Sequence, residues 1–233
     1  MRGVFAGNPL ADIRKVALID EMDDYRKRAL RYFCVMGLVP LIVGVVGAWS
    51  PFSGFILFLL GAPFLVLGIL VGAIHWFNHG IRSARERRED RDRTLDYGLA
   101  PTLALVTVLA SWPVLVFGNF VGDLTRLGIN QSHYGAIIAK AERDQQPAWF
   151  KDDNGVTYSV DVGPPLRIAF NPEGFLDNWS GIIYDPTGDV MLADGFDPKT
   201  GKFAAPERIT KLFDGDLVAC RHLWGAYYSC TFT

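Results

Sequence analysis

Tyr32 to Ile81 reads YFCVMGLVPLIVGVVGAWSPFSGFILFLLGAPFLVLGILVGAIHWFNHGI, fifty residues without Asp, Glu, Lys or Arg, closed off by Arg31 and Arg82. A hydrocarbon core of about 30 Å takes roughly twenty apolar helical residues, so fifty is the length of two spans and a turn. Trp49-Ser50-Pro51-Phe52-Ser53-Gly54 marks that turn, because Pro and Gly interrupt the run and Trp49 suits the headgroup level. A third uncharged run, Tyr97 to Gly122, supplies another span.

Charge sets the expected orientation. Seven basic residues precede the first span (Arg2, Arg14, Lys15, Arg26, Lys27, Arg28, Arg31) and six lie between the second and third (Arg82, Arg85, Arg87, Arg88, Arg91, Arg93), while the Trp49–Gly54 turn has none. By the positive-inside rule the N-terminus and the Arg-rich loop are cytoplasmic, and three spans carry the C-terminal portion across. The first span is expected to act as an uncleaved signal anchor. The expected fold is therefore an α-helical membrane protein. A cytoplasmic amphipathic helix covers 1–31, with residues 1–8 unstructured and the helix starting at Asn8-Pro9. A membrane region covers 32–122, with spans at about 32–48, 55–77 and 99–121 and the Arg-rich loop at 78–98, itself expected to extend the second helix through pairs such as Arg85 with Glu89. An extracytoplasmic α+β domain covers 123–233. The expected location is a bacterial inner membrane with that domain in the periplasm.

Within the spans, Gly68-x-x-x-Gly72 and Gly44-x-x-x-Ala48 allow close backbone approach, either inside the helix hairpin or, through Gly68 and Gly72, between copies in a homo-oligomer. Pro40, Pro63 and Pro113 are single internal prolines that kink membrane helices without expelling them. No ionisable group sits at the depth of the bilayer centre, which argues against an ion or proton pathway. His75 and His79 share a helix face around Trp76, and Cys34 lies near the same leaflet; an interfacial aromatic belt accounts for them more economically than a haem or metal site. No cofactor and no metal are expected.

Asp123–Thr233 carries ten Lys and Arg against fifteen Asp and Glu, which excludes nucleic acid as an attractive partner. His133–Gln145 fits an amphipathic helix. Strands are expected at Val156–Val162, Leu166–Phe170, Gly181–Tyr184 and Val190–Ala193. Asp185-Pro186-Thr187-Gly188 has the chemistry of a turn, as does Phe196–Gly201. In the last stretch, LVACRHLWGAYYSCTFT from Leu217 to Thr233, a three-residue loop Trp224-Gly225-Ala226 would set Leu223 opposite Tyr227 and Cys220 opposite Cys230, a pair able to form a disulfide between facing strands.

Catalytic signatures are absent: there is no Gly-x-Ser-x-Gly, His-Glu-x-x-His, phosphate-binding glycine loop or Gly-x-Gly-x-x-Gly. His133 or His222 beside Ser159, Ser180 or Ser229 has no supporting spacing, and the Asp185, Asp189, Asp194, Asp197 series lacks a calcium-loop pattern. Asn130-Gln131-Ser132 and Asn178-Trp179-Ser180 are glycosylation sequons that matter only in a eukaryotic secretory pathway. What remains is an aromatic-rich domain: Trp149, Phe150, Phe175, Trp179, Tyr184, Trp224, Tyr227 and Tyr228. Of these, Trp179, Tyr184, Trp224, Tyr227 and Tyr228 are the candidate contacts for a protein partner in the periplasm. The expected function is a membrane-tethered protein-binding domain, as an accessory subunit of an envelope complex or a toxin-neutralising immunity protein. The alternative is a membrane-tethered enzyme or ligand sensor.

Overall fold

A computed structural model describes residues 9–86, 90–175 and 177–233. Residues 1–8, 87–89 and 176 lie outside the described residues, and with them Asn8 of the expected Asn8-Pro9 helix start and Glu89 of the expected Arg85–Glu89 pair, while the first helix is described from Pro9. The amphipathic stripe over Leu10–Met22 lies outside the described side chains, as does that of Phe175.

Three long helices come first: α1, Pro9–Trp49; α2, Pro51–Glu86; and α3, Asp90–Asp144. Each contains a segment long and apolar enough to cross a membrane: Asp24–Trp49, Pro51–Arg85 and Thr94–Asp144. Large apolar side chains such as Phe64, Ile74, Leu109 and Trp112 stand exposed along them, the reverse of a water-soluble helix bundle. The turn between α1 and α2 is a single residue, Ser50, so the second helix starts at Pro51 and not near Phe55. Proline fits a first helical position, and the Ser50 hydroxyl accepts a bond from the Ser53 amide at 3.4 Å. The expected separate helix at His133–Gln145 is the end of α3. No Gly-Pro break follows Gly122, and Leu124, Leu127, Tyr134, Ile137, Ile138 and Ala141 keep one apolar stripe running.

The chain divides into two compact units. One joins the chain up to Pro40 with Leu59–Val114, the other Leu41–Phe58 with Leu115–Thr233. In the first, the Tyr32 hydroxyl donates to the Gly68 carbonyl at 2.6 Å, and the Tyr32 ring fills the space a side chain at Gly72 would need. Gly68 also faces Met36. Both glycines therefore serve the seating of α1 on α2. Arg26 pairs with the fully buried Asp96 at 2.8 Å, and Tyr25 donates to the Trp76 carbonyl at 3.2 Å.

In the second unit, Gly44 of α1 and Gly118 and Gly122 of α3 leave no room for a Cβ between the two helices. Beyond them lies an antiparallel sheet of β1 (Ala148–Asp153), β2 (Val156–Asp161), β3 (Arg167–Phe175), β4 (Asn178–Tyr184), β7 (Lys211–Leu212), β8 (Gly215–Trp224) and β9 (Tyr227–Phe232). Its spatial order is β1-β2-β3-β4-β9-β8-β7. A two-stranded ribbon of β5 (Phe196–Asp197) and β6 (Lys202–Phe203) and the one-turn helix α4 (Glu207–Thr210) lie between β4 and β7 in the chain. The α+β expectation thus resolves into a curled sheet whose principal helix is borrowed from α3.

Period-two alternation gives the sheet two cores. Val160, Ile168, Phe170 and Ile182 pack with Leu127, Tyr134 and Ile137 of α3, where Tyr134 stacks on Phe170 at 4.1 Å. Their neighbours Ala169 and Ile183, with Leu217, Tyr228, Cys230 and Phe232, form the opposite core under Val190, Ile209 and Phe213. Around the base of the sheet the polar contacts are few and specific. Arg126, buried, donates to the Ala48 carbonyl at 3.0 Å and to Glu173 at 3.3 Å. Arg221 reaches Asp123 at 3.2 Å and Asn119 at 3.3 Å and lies over the Phe120 ring.

Two local expectations are corrected. Val190–Ala193 is not a strand: Asp189–Leu192 is a 3₁₀ turn, because the Asp185 carboxylate accepts the Val190 amide at 3.0 Å and Gly188 adopts φ 76°. The Asp185–Gly188 and Phe196–Gly201 turns themselves form as expected, with Asp185 and Asp197 each accepting the amide two residues on. In the last hairpin Cys220 faces Cys230 as read, and the two are disulfide-bonded. The loop, however, is Gly225-Ala226 alone. Trp224 pairs with Tyr227, and Leu223 is bulged out of register into the helix-side core.

Candidate functional site

The five aromatic residues marked out by the sequence do not share one surface. Tyr184 and Tyr227 are cross-strand partners, 5.6 Å between ring centres, on the α3 side. Trp179 and Tyr228 belong to the opposite face, where Trp179 stacks flat on Phe232 at 3.9 Å. Trp224 stands at the hairpin tip, 69% exposed. Burial raises the phenol pKa values of Tyr184, Tyr227 and Tyr228, so all three stay neutral at ordinary pH.

A cleft of about 650 Å³ opens instead on the Trp179 face, near the end of the sheet that Arg126 ties to Ala48. Trp149, Phe150, Trp179, Phe203 and Phe213 give it aromatic walls. Asp177, Asp214 and Asp216 supply its charge, and among the described residues no Lys, Arg or His lines it. Two backbone features build it. At the outer strand the β1–β2 register slips between Ala148 and Lys151. Phe150 takes φ 44° and its amide is held by the Ser159 hydroxyl at 3.1 Å. This bulge leaves Trp149 and Phe150 48% and 56% exposed, edge to face at 5.2 Å. On the other side Phe213 and Asp214, both at positive φ, make the two-residue turn from β7 to β8. Gly215 follows, where a Cβ would lie 2.9 Å from the Trp179 indole nitrogen and 3.2 Å from the Phe232 Cβ. Non-glycine residues at positive φ cost energy and gather where a protein positions a surface for use.

Sequence reasoning named Trp149 and Phe150 among the aromatics but did not select them, and it missed Phe213, Asp214 and Asp216. Asp214-Gly215, with Leu212-Phe213 before it and Leu217-Val218 after Asp216, is a hairpin signal that could have found the second wall. Neither histidine of the C-terminal domain is brought to Ser159. The His222 ring bonds the Gly225 carbonyl at 2.9 Å, His133 faces Asp153 at 3.9 Å, and neither lines the cleft beside Ser159. His75 and His79 lie 4.9 Å apart between ring centres, and among the described residues no three metal-ligating side chains converge.

Three of the four aspartates of that series, Asp185, Asp189 and Asp197, are spent on structure. Arg208 bonds Asp189 at 2.8 and 2.9 Å and holds its carboxyl below the usual carboxylate range. A depressed folded pKa contributes stability above the unfolded value of about 3.9, lost as pH falls through the folded one. The gap in urea midpoint between the parent chain and Arg208→Ala should therefore be constant above about pH 5 and narrow as the pH is lowered through 4. A gap independent of pH would show that Asp189 gains nothing from Arg208.

Comparison with protein-family models, with curated proteins and with solved structures finds no match.

Proposed function

We propose that the chain is an integral inner-membrane protein that presents its C-terminal domain to the periplasm to bind another protein, as an accessory subunit of an envelope complex or as an immunity protein against an incoming toxin. Three helices long and apolar enough to cross a membrane, basic residues concentrated at one set of helix ends, and a disulfide in the last hairpin are consistent with that arrangement. The observation that carries the binding role is the pair Trp149 and Phe150, held outward by a strained bulge at the mouth of an open cleft. Large rings kept bare at such cost belong to a contact surface, and Trp and Tyr dominate contact energies.

A benzoylphenylalanine placed at Phe150 should, on irradiation of intact cells, give a discrete adduct with one protein, and the adduct should vanish when Trp149 is also changed to Ala. Smearing or no adduct at all would defeat the reading. The orientation has its own measurement. In a Cys34→Ser chain, a membrane-impermeant maleimide should label Cys220, at the edge of the core, in intact cells after brief reduction. Labelling only after lysis would put the domain in the cytosol.

A further inference from the structure

The composition of the cleft narrows what enters it. We infer that it takes a Lys- or Arg-bearing segment of the partner protein, with the cationic side chain lying on Trp149, Phe150 or Trp179 and facing Asp177, Asp214 and Asp216. This rests on the protein-binding reading above and specifies the chemistry of the partner.

Three observations converge. Among the described residues no basic side chain lines the cleft and none of its three aspartate side chains makes a hydrogen bond or ion pair, in contrast to Asp185, Asp189 and Asp197, which are all engaged. The walls are aromatic, and a cation over a ring face gains from the ring quadrupole while its alkyl or guanidinium plane covers apolar surface. Finally, the domain as a whole is acidic, ten basic residues against fifteen acidic from Asp123 on, so the field draws a basic segment from a distance and repels an acidic one. A cleft of about 650 Å³ and open form suits a short extended segment better than a single free ion.

The test uses the full chain in nanodiscs of phosphatidylcholine, which carries no net charge to compete. The probe is a fluorescein-labelled heptapeptide alternating Gly and Arg, with matched Gln and Glu versions. The Arg peptide should bind saturably, the Gln and Glu versions at least tenfold more weakly, and raising salt from 50 to 300 mM should weaken binding severalfold. Asp214→Asn with Asp216→Asn should weaken it at least tenfold, as should Trp149→Ala. Asn tolerates the left-handed backbone at position 214, so the turn survives the change, and an unaltered urea midpoint verifies that. Equal binding of the Arg and Gln peptides, or unchanged binding by the double Asn chain, overturns the inference. If that happens while the cross-link from position 150 persists, the protein-binding reading stands and only the basic chemistry is lost; if the cross-link is absent too, both fall. Loss of the Arg-peptide signal on adding phosphatidylethanolamine to the discs would assign the cleft to a lipid ammonium and overturn it as well.

Discussion

Replacing Arg167 with Met is expected to cost the C-terminal domain about 3–5 kcal/mol, the range for removing one partner of a buried ion pair. Asp185 is fully buried and Arg167 nearly so. The guanidinium lies 3.3 Å from Asp185 Oδ1 and 3.5 Å from Asp189 Oδ2. Neither nitrogen is aligned for a hydrogen bond, so the attraction is Coulombic and depends on the absence of water. Asp185 is meanwhile committed to the Thr187 and Val190 amides, which form the turn after β4. Without Arg167 its charge would be stranded in the core. Urea unfolding of the full chain in detergent, followed by tryptophan fluorescence, measures the loss. A companion Asp185→Asn change should recover part of it, since the charge goes while an acceptor remains, and the double-mutant cycle then isolates the coupling. A loss under about 1 kcal/mol would mean that water reaches the pair.

The second large effect is expected on reducing the Cys220–Cys230 bond, with a loss of about 2–3 kcal/mol for a loop this short on the chain-entropy account. The cysteines are ten residues apart in sequence and directly opposed in register, with Cα atoms 4.1 Å apart, so the bond ties two strands that already face each other. Cys230 is fully buried among Leu217, Tyr228 and Phe232, whereas Cys220 lies at the edge of that core. Reduction should lower the urea midpoint, and Cys220→Ser should reproduce the reduced protein closely. Cys230→Ser should fall further, because it buries a hydroxyl without a partner as well. Identical midpoints before and after reduction would show the hairpin to be held by packing alone.

What could be read from the residues follows from how far their signals reach. The fifty-residue apolar run is a signal of length and reappears in the fold; the Cys220–Cys230 pair forms too, although the loop it was reckoned from is one residue shorter and the bulge at Leu223 restores the register. The strand β2 followed from alternation, while Leu166–Phe170 and Gly181–Tyr184, read from the proline pair before one and the turn after the other, catch only parts of β3 and β4. Val190–Ala193 looks like a strand because it is apolar, but one carboxylate five residues earlier captures its first amide, and no propensity competes with that. The unbroken α3 was hidden by Asp123, Arg126 and Asn130. Two of these turn out to be anchoring groups of the sheet domain, and the Asn130 side chain folds back onto the Arg126 carbonyl of its own helix.

The cleft was harder, since nothing in Phe150 or Phe213 announces a left-handed backbone; only the tertiary setting imposes it. One part was within reach. Tyr227 and Tyr228 are adjacent on a strand and must point to opposite faces, which already divides the candidate aromatics between two sides of the sheet.

The bulge at Trp149 and Phe150 has a bearing on how molecules of this kind coexist at high density. β1 is the outermost strand of the sheet, and the irregularity spoils the regular row of amides and carbonyls that a strand from a neighbouring molecule would need for zipping on, while Lys151, Asp152 and Asp153 set charge along the remainder. The domain can thus display bare rings in crowded surroundings without seeding fibrils of its own kind.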